Sequence, residues 1–76
     1  MDWHPRITAD PAVLVGKPVI KGTRLAVELI LDLLSNGWTQ DQILTNYPGL
    51  KIDDLLACIA YAKDLVSDER VFPAQA

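Results

Sequence analysis

From Leu25 onward the apolar residues of this chain recur at the spacing of an α-helix, and before Leu25 they do not. The first 24 residues are punctuated by the turn formers Pro5, Pro11, Gly16, Pro18 and Gly22. Between them sit short β-prone pieces, Ile7-Thr8, Val13-Leu14-Val15 and Val19-Ile20. This pattern predicts one or two short strands, arranged as a hairpin or an edge ribbon. Pro18 suits the position just before a strand, where its missing N–H costs no ladder bond.

Three helical segments follow. Residues 25–36 leave only a narrow polar stripe of Glu28, Asp32 and Ser35, so this helix is apolar on most of its circumference and is expected to be buried on more than one side. Gly37 is placed to stop it as the left-handed residue after the C-cap. Thr39-Gln40-Asp41-Gln42 has the form of a capping box, with a hydroxyl at the N-cap and Gln three residues on. Trp38 and Ile43 are placed as its hydrophobic staple. That short helix ends near Asn46, because Tyr47-Pro48-Gly49-Leu50 reads as a turn. A third helix is expected over residues 52–66, with Ile52, Leu55, Ile59, Ala62 and Val66 on its apolar face and Asp53 and Asp54 in its first turn, where acids suit the helix dipole. Lys51 is a poor N-cap residue. The expected organisation is one domain: a β-arm over residues 1–24, a trihelical core over 25–66 with a helix-turn-helix layout, and a tail over 67–76.

Charge divides along the same line. Residues 1–24 carry Arg6, Lys17, Lys21 and Arg24 against Asp2 and Asp10, while the rest is acidic, for a net charge of −3. A uniformly basic nucleic-acid binder is excluded; a local basic patch is not. Size matters as well. For 76 residues, folding removes roughly 7,500 Å² from water. If about 60% of that is apolar, it contributes on the order of 110 kcal/mol, and ordering the chain at ~1.5 kcal/mol per residue costs about the same. A lone monomer is marginal, and half of the residues are apolar, so burial of surface against a second copy or a partner is expected.

Gly16-Lys17-Pro18-Val19-Ile20-Lys21-Gly22-Thr23-Arg24-Leu25-Ala26-Val27, then an apolar helix ending at Gly37, a short capped helix, and Tyr47-Pro48-Gly49-Leu50 together resemble the domain-of-unknown-function 433 family over roughly residues 4–66. The resemblance implies a mainly α, homeodomain-like helix-turn-helix bundle. It also implies the role of antitoxin in a bacterial type II toxin–antitoxin pair: neutralising a PIN-like nuclease toxin and repressing its own operon. The family usually holds Ser or Thr where this chain has Lys51, and the acidic Asp53-Asp54 follows it.

Two classes of contact residue emerge. Arg6, Lys17, Lys21, Arg24 and Lys51 are the candidates for operator DNA, with Asp53, Asp54 and Ala57 near the bases if the third helix enters a groove. Against this, carboxylates repel phosphates, and the same residues also fit a plain trihelical core in which Arg24 pairs with Glu28. Ala26, Leu29 and Leu33 are the candidate face for a homodimer or a partner, unless the β-arm covers them. Arg70 and Phe72 in the tail are candidate anchors for a toxin, or part of a frayed terminus. Catalysis is not expected. His4 is a lone histidine in the arm, Cys58 lies in a helix as a small apolar residue, and Asp53 and Asp54 point about 100° apart on a helix. Neither a metal, a cofactor nor a membrane span is expected, and the N-terminus has no signal-peptide pattern, so the expected location is the cytoplasm.

Overall fold

A computed structural model describes residues 1–68. Two short strands, β1 (Ile7–Thr8) and β2 (Val19–Ile20), precede three helices, α1 (Val27–Ser35), α2 (Gln40–Asn46) and α3 (Ile52–Asp68). The strands pair antiparallel, Ile7 opposite Ile20 and Thr8 opposite Val19. The fold is therefore a mainly helical bundle with a small N-terminal ribbon, as expected.

The ribbon has a third, single-residue rung. Ile20 N–H donates to Leu25 O at 2.9 Å, Val27 N–H donates to Pro18 O at 3.0 Å, and Val19 bridges Ala26. The turn between them is held by Thr23, whose hydroxyl donates to Ile20 O and accepts from Leu25 N–H. Leu25 and Ala26 are thus committed to the ribbon, and α1 starts at Val27 rather than Leu25. Periodicity alone could not separate an extended rung from the helix that continues it.

Val13-Leu14-Val15 is not a strand. Leu14, Val15 and Gly16 have φ of 48°, 56° and 80°, all in the left-handed region. Gly16 N–H donates to Val13 O and Lys17 N–H to Leu14 O, closing a single tight 3-10 turn. β-Branched Val at positive φ is sterically disfavoured.

The helix ends follow local rules closely. At the end of α1, Gly37 N–H donates to Leu34 O and Trp38 N–H to Leu33 O, the paired bonds of a Schellman motif, with Gly37 at φ 90°. Thr39 and Gln42 make both halves of the capping box that starts α2. At α3 the side chain of Lys51 cannot cap, but Asp54 reaches back to accept from Lys51 N–H at 2.9 Å, so an acid three residues inside the helix satisfies a donor that would otherwise be orphaned.

The core takes Ile7 and Ile20 from the ribbon, Val27 and Ile30 from α1, Ile43 from α2, Leu50 from the turn, and Leu55, Ala57 and Cys58 from α3. Burial pushes the Cys58 thiol up to about 12, with the charge of Asp54 adding to the effect. This phase of α3 corrects the expected apolar face. Leu55 is buried, but Ile52, Ile59 and Val66 are 41%, 43% and 62% exposed. Residues 52–66 carry two apolar stripes, and the inward one is the stripe adjoining Asp54, which the arm holds.

Candidate interaction surface

The arm is fastened to α3 at both ends of the helix. Arg6 Nη1 donates to Asp54 Oδ1 at 3.0 Å and Arg6 Nη2 lies 3.5 Å from Asp53 Oδ2. Further along, Trp3 Nε1 donates to Asp64 Oδ2 at 2.7 Å, and the Trp3 ring packs edge-on to Tyr61 with centroids 4.7 Å apart. His4 stacks on the outer side of Trp3 and bonds Asp2 at 2.7 Å, which holds the Asp2 carboxyl below its ordinary range.

These contacts change the standing of the basic residues. Arg6 is half-buried against two carboxylates, and Lys17 pairs with Glu28 at 3.1 Å. The expected Arg24–Glu28 pair is therefore replaced by Lys17–Glu28. Lys21, Arg24 and Lys51 are exposed. Lys21 and Arg24 flank the tip of the Gly22-Thr23 turn, whereas Lys51 lies at the start of α3. Of the five cations, Arg6 and Lys17 are the ones paired with carboxylates among the described residues. Of the residues expected near bases, Asp54 and Ala57 are buried and cannot reach a groove.

Ala26, Leu29 and Leu33 are each half-buried: Ala26 bridges Val19, and Leu33 packs against the core. Arg70 and Phe72 lie outside the described residues. The exposed apolar surface is elsewhere, and sequence reasoning missed it. Ile52, Leu56, Ile59, Lys63 and Val66 follow one another at spacings of four, three, four and three along α3, so they share one outward face. All five are exposed. The signal was present as the second apolar stripe of residues 52–66.

A second apolar feature lies beside it. A groove of about 370 Å³ runs between α1 and α3, lined by Val27, Leu31, Tyr61 and Leu65, with the Lys17–Glu28 pair also lining it. Val15, at the strained turn that precedes Lys17, is 95% exposed. Among the described residues no cluster of three His, Cys, Asp or Glu side chains could hold a metal ion, and no helix is long and apolar enough to cross a membrane.

Comparison with known proteins gives a family and no activity. A solved structure of a DUF433 member protein from Anabaena variabilis, at 2.00 Å resolution, superposes with a TM-score of 0.75 and 32% identity over 78% of this chain. The match covers 58% of that protein's chain, so the likeness concerns only part of the relative. No curated protein matches. The family model described as "Protein of unknown function (DUF433)" matches residues 7–62, which take in both strands, all of α1 and α2, and most of α3. The chain belongs to the DUF433 family.

Proposed function

We propose that this chain is a protein-interaction module that works through the outward face of α3, and that it binds rather than catalyses. The observation that carries this reading is the composition of that face. A helix that reads DNA presents donors and cations to bases and phosphates. Here the corresponding helix presents Ile52, Leu56, Ile59 and Val66, with Lys63 as the cation among them and Asp53 on its flank. Exposed apolar surface of this kind marks a protein contact.

The antitoxin role implied by the family resemblance is the specific form of this reading, with a PIN-like nuclease toxin as partner and the cytoplasm as the place of action. Operator DNA is the second reading. It is favoured by one observation, the exposure of Lys21 and Arg24 on either side of the Gly22-Thr23 turn.

Co-expression with the product of the neighbouring reading frame, followed by size exclusion with light scattering, tests the first reading. A stable hetero-complex that Leu56→Asp disrupts supports it; a complex indifferent to that change overturns the assigned face. DNA titration across salt tests the second. Phosphate contacts lower log affinity by about 0.9 per contact for each tenfold rise in salt. Salt-steep binding that is lost when Lys21 and Arg24 are reversed in charge would replace the interaction reading with an operator-binding one.

A further inference from the structure

The outward face of α3 has a charge pattern that selects its own partner. Resting on the interaction reading above, we propose that the occupant of this face is a second copy of the same helix, running antiparallel. The face is a seam with the four-and-three spacing that lets two helices interlock side by side. Its polar members are unevenly placed: Asp53 stands beside Ile52 in the first turn, and Lys63 lies within the seam three turns later.

That placement decides the orientation. In a parallel pair, Lys63 would meet Lys63 and Asp53 would lie beside Asp53, two like-charge contacts on the same interface. In an antiparallel pair with Leu56 of each copy opposite Ile59 of the other, the same spacing brings Lys63 opposite Ile52. The lysine stem then covers Ile52 and its ammonium reaches Asp53 of the second copy. The two-fold axis makes this contact twice. Opposed helix dipoles favour the same arrangement. Arg6 holds Asp54 at 3.0 Å and lies at 3.5 Å from Asp53, whose side chain is half exposed, so Asp53 can take a second cation from the solvent side.

The partner is therefore specified by chemistry: an apolar helix with a cation where this one has an acid and an acid where it has a cation. An antiparallel copy meets that description.

The test is the oligomeric state of the full chain, by sedimentation equilibrium over a range of concentrations. The seam is short, so a dimer with a dissociation constant on the order of 10–100 µM is expected. Ile59→Asp should abolish it with helicity unchanged. Lys63→Glu and Asp53→Lys, each alone, should weaken self-association by about tenfold or more, since each sets like charges together twice. Mixed in equal amounts, these two variants should pair with each other as well as the parent pairs with itself. A dimer insensitive to Ile59→Asp would remove α3 as the seam. Variants that do not rescue one another would overturn the antiparallel register. A parent chain that stays monomeric at high concentration overturns self-pairing. The interaction reading would still stand if that monomer bound the neighbouring product through Leu56, and would fall with it if the monomer bound only DNA.

Discussion

Arg6 and Asp54 are 48 positions apart in the chain and 3.0 Å apart in the fold. Asp54 uses its two oxygens for different tasks: Oδ1 accepts from the guanidinium, and Oδ2 accepts from Lys51 N–H at the start of α3. One carboxylate therefore both starts the third helix and fastens the N-terminal arm across it.

Removing that carboxylate should cost more than removing its partner. Asp54→Ala leaves a half-buried guanidinium short of an acceptor and the Lys51 N–H uncapped, which together predict a loss of about 2–4 kcal/mol. Arg6→Ala leaves Asp54 still serving Lys51 N–H, and should cost about 1–2 kcal/mol. Urea denaturation of both single variants and the double variant measures the coupling. Equal losses for the two singles would contradict the double role of Asp54.

The second fastening point is Trp3. Its indole N–H donates to Asp64 at 2.7 Å and its ring meets Tyr61 edge-on. Trp3→Phe keeps most of the apolar contact and deletes the donor, so a loss of about 1–2 kcal/mol is expected for a partly buried bond to a charged acceptor. Deleting residues 1–5 removes the ring as well and should cost more. If both variants melt at the temperature of the parent, the arm is not a structural member of the bundle.

These tertiary ties explain which parts of the fold were legible in the sequence. Helix ends are set by local chemistry. Gly37, Thr39 and Gln42 act within a few residues of themselves, so the end of α1 and the start of α2 could be placed from the letters alone. The phase of α3 is not local. Leu55 and Ile59 are equally apolar, and tertiary packing turns one inward and leaves the other exposed: Leu55 enters the core formed with α1, α2 and the ribbon, and the arm ties the same side of the helix through Arg6 on Asp54 and Trp3 on Asp64. The same cause hid the candidate site: the apolar seam of α3 becomes a surface only once the other stripe is known to be buried. Leu25 and Ala26 escaped for a related reason, since their rung with β2 forms with partners that no helical period encodes.

The turn at Leu14–Gly16 stores strain that a single change should release. Val15 sits at φ 56°, ψ 38°, with its side chain 95% exposed, so it pays for little packing by its conformation. Left-handed backbone costs an L-residue about 1–2 kcal/mol, and Gly removes that cost while adding about 0.5–1 kcal/mol of unfolded-state entropy. The balance predicts that Val15→Gly stabilises by about 0.5–1 kcal/mol, or a few degrees in Tm for a domain of this size. A lowered Tm would mean that the valine side chain makes contacts that offset its backbone.

Cys58 offers a test of the core itself. Its side chain is fully buried, and its thiol is pushed up to about 12 by that burial. The unfolded chain loses this proton near 9, the native chain only near 12, so between those values the unfolded state binds fewer protons. The Cys58 contribution to stability is therefore complete below pH 9 and declines as pH rises towards 12. Cys58→Ala lacks this linkage, so its stability should fall less steeply than that of the parent over the same interval. The same burial predicts slow reaction with a thiol reagent at neutral pH, at a rate that follows global opening and rises with urea. Rapid labelling of the native chain would place the thiol at the surface and remove α3 from the position on which the exposed seam depends.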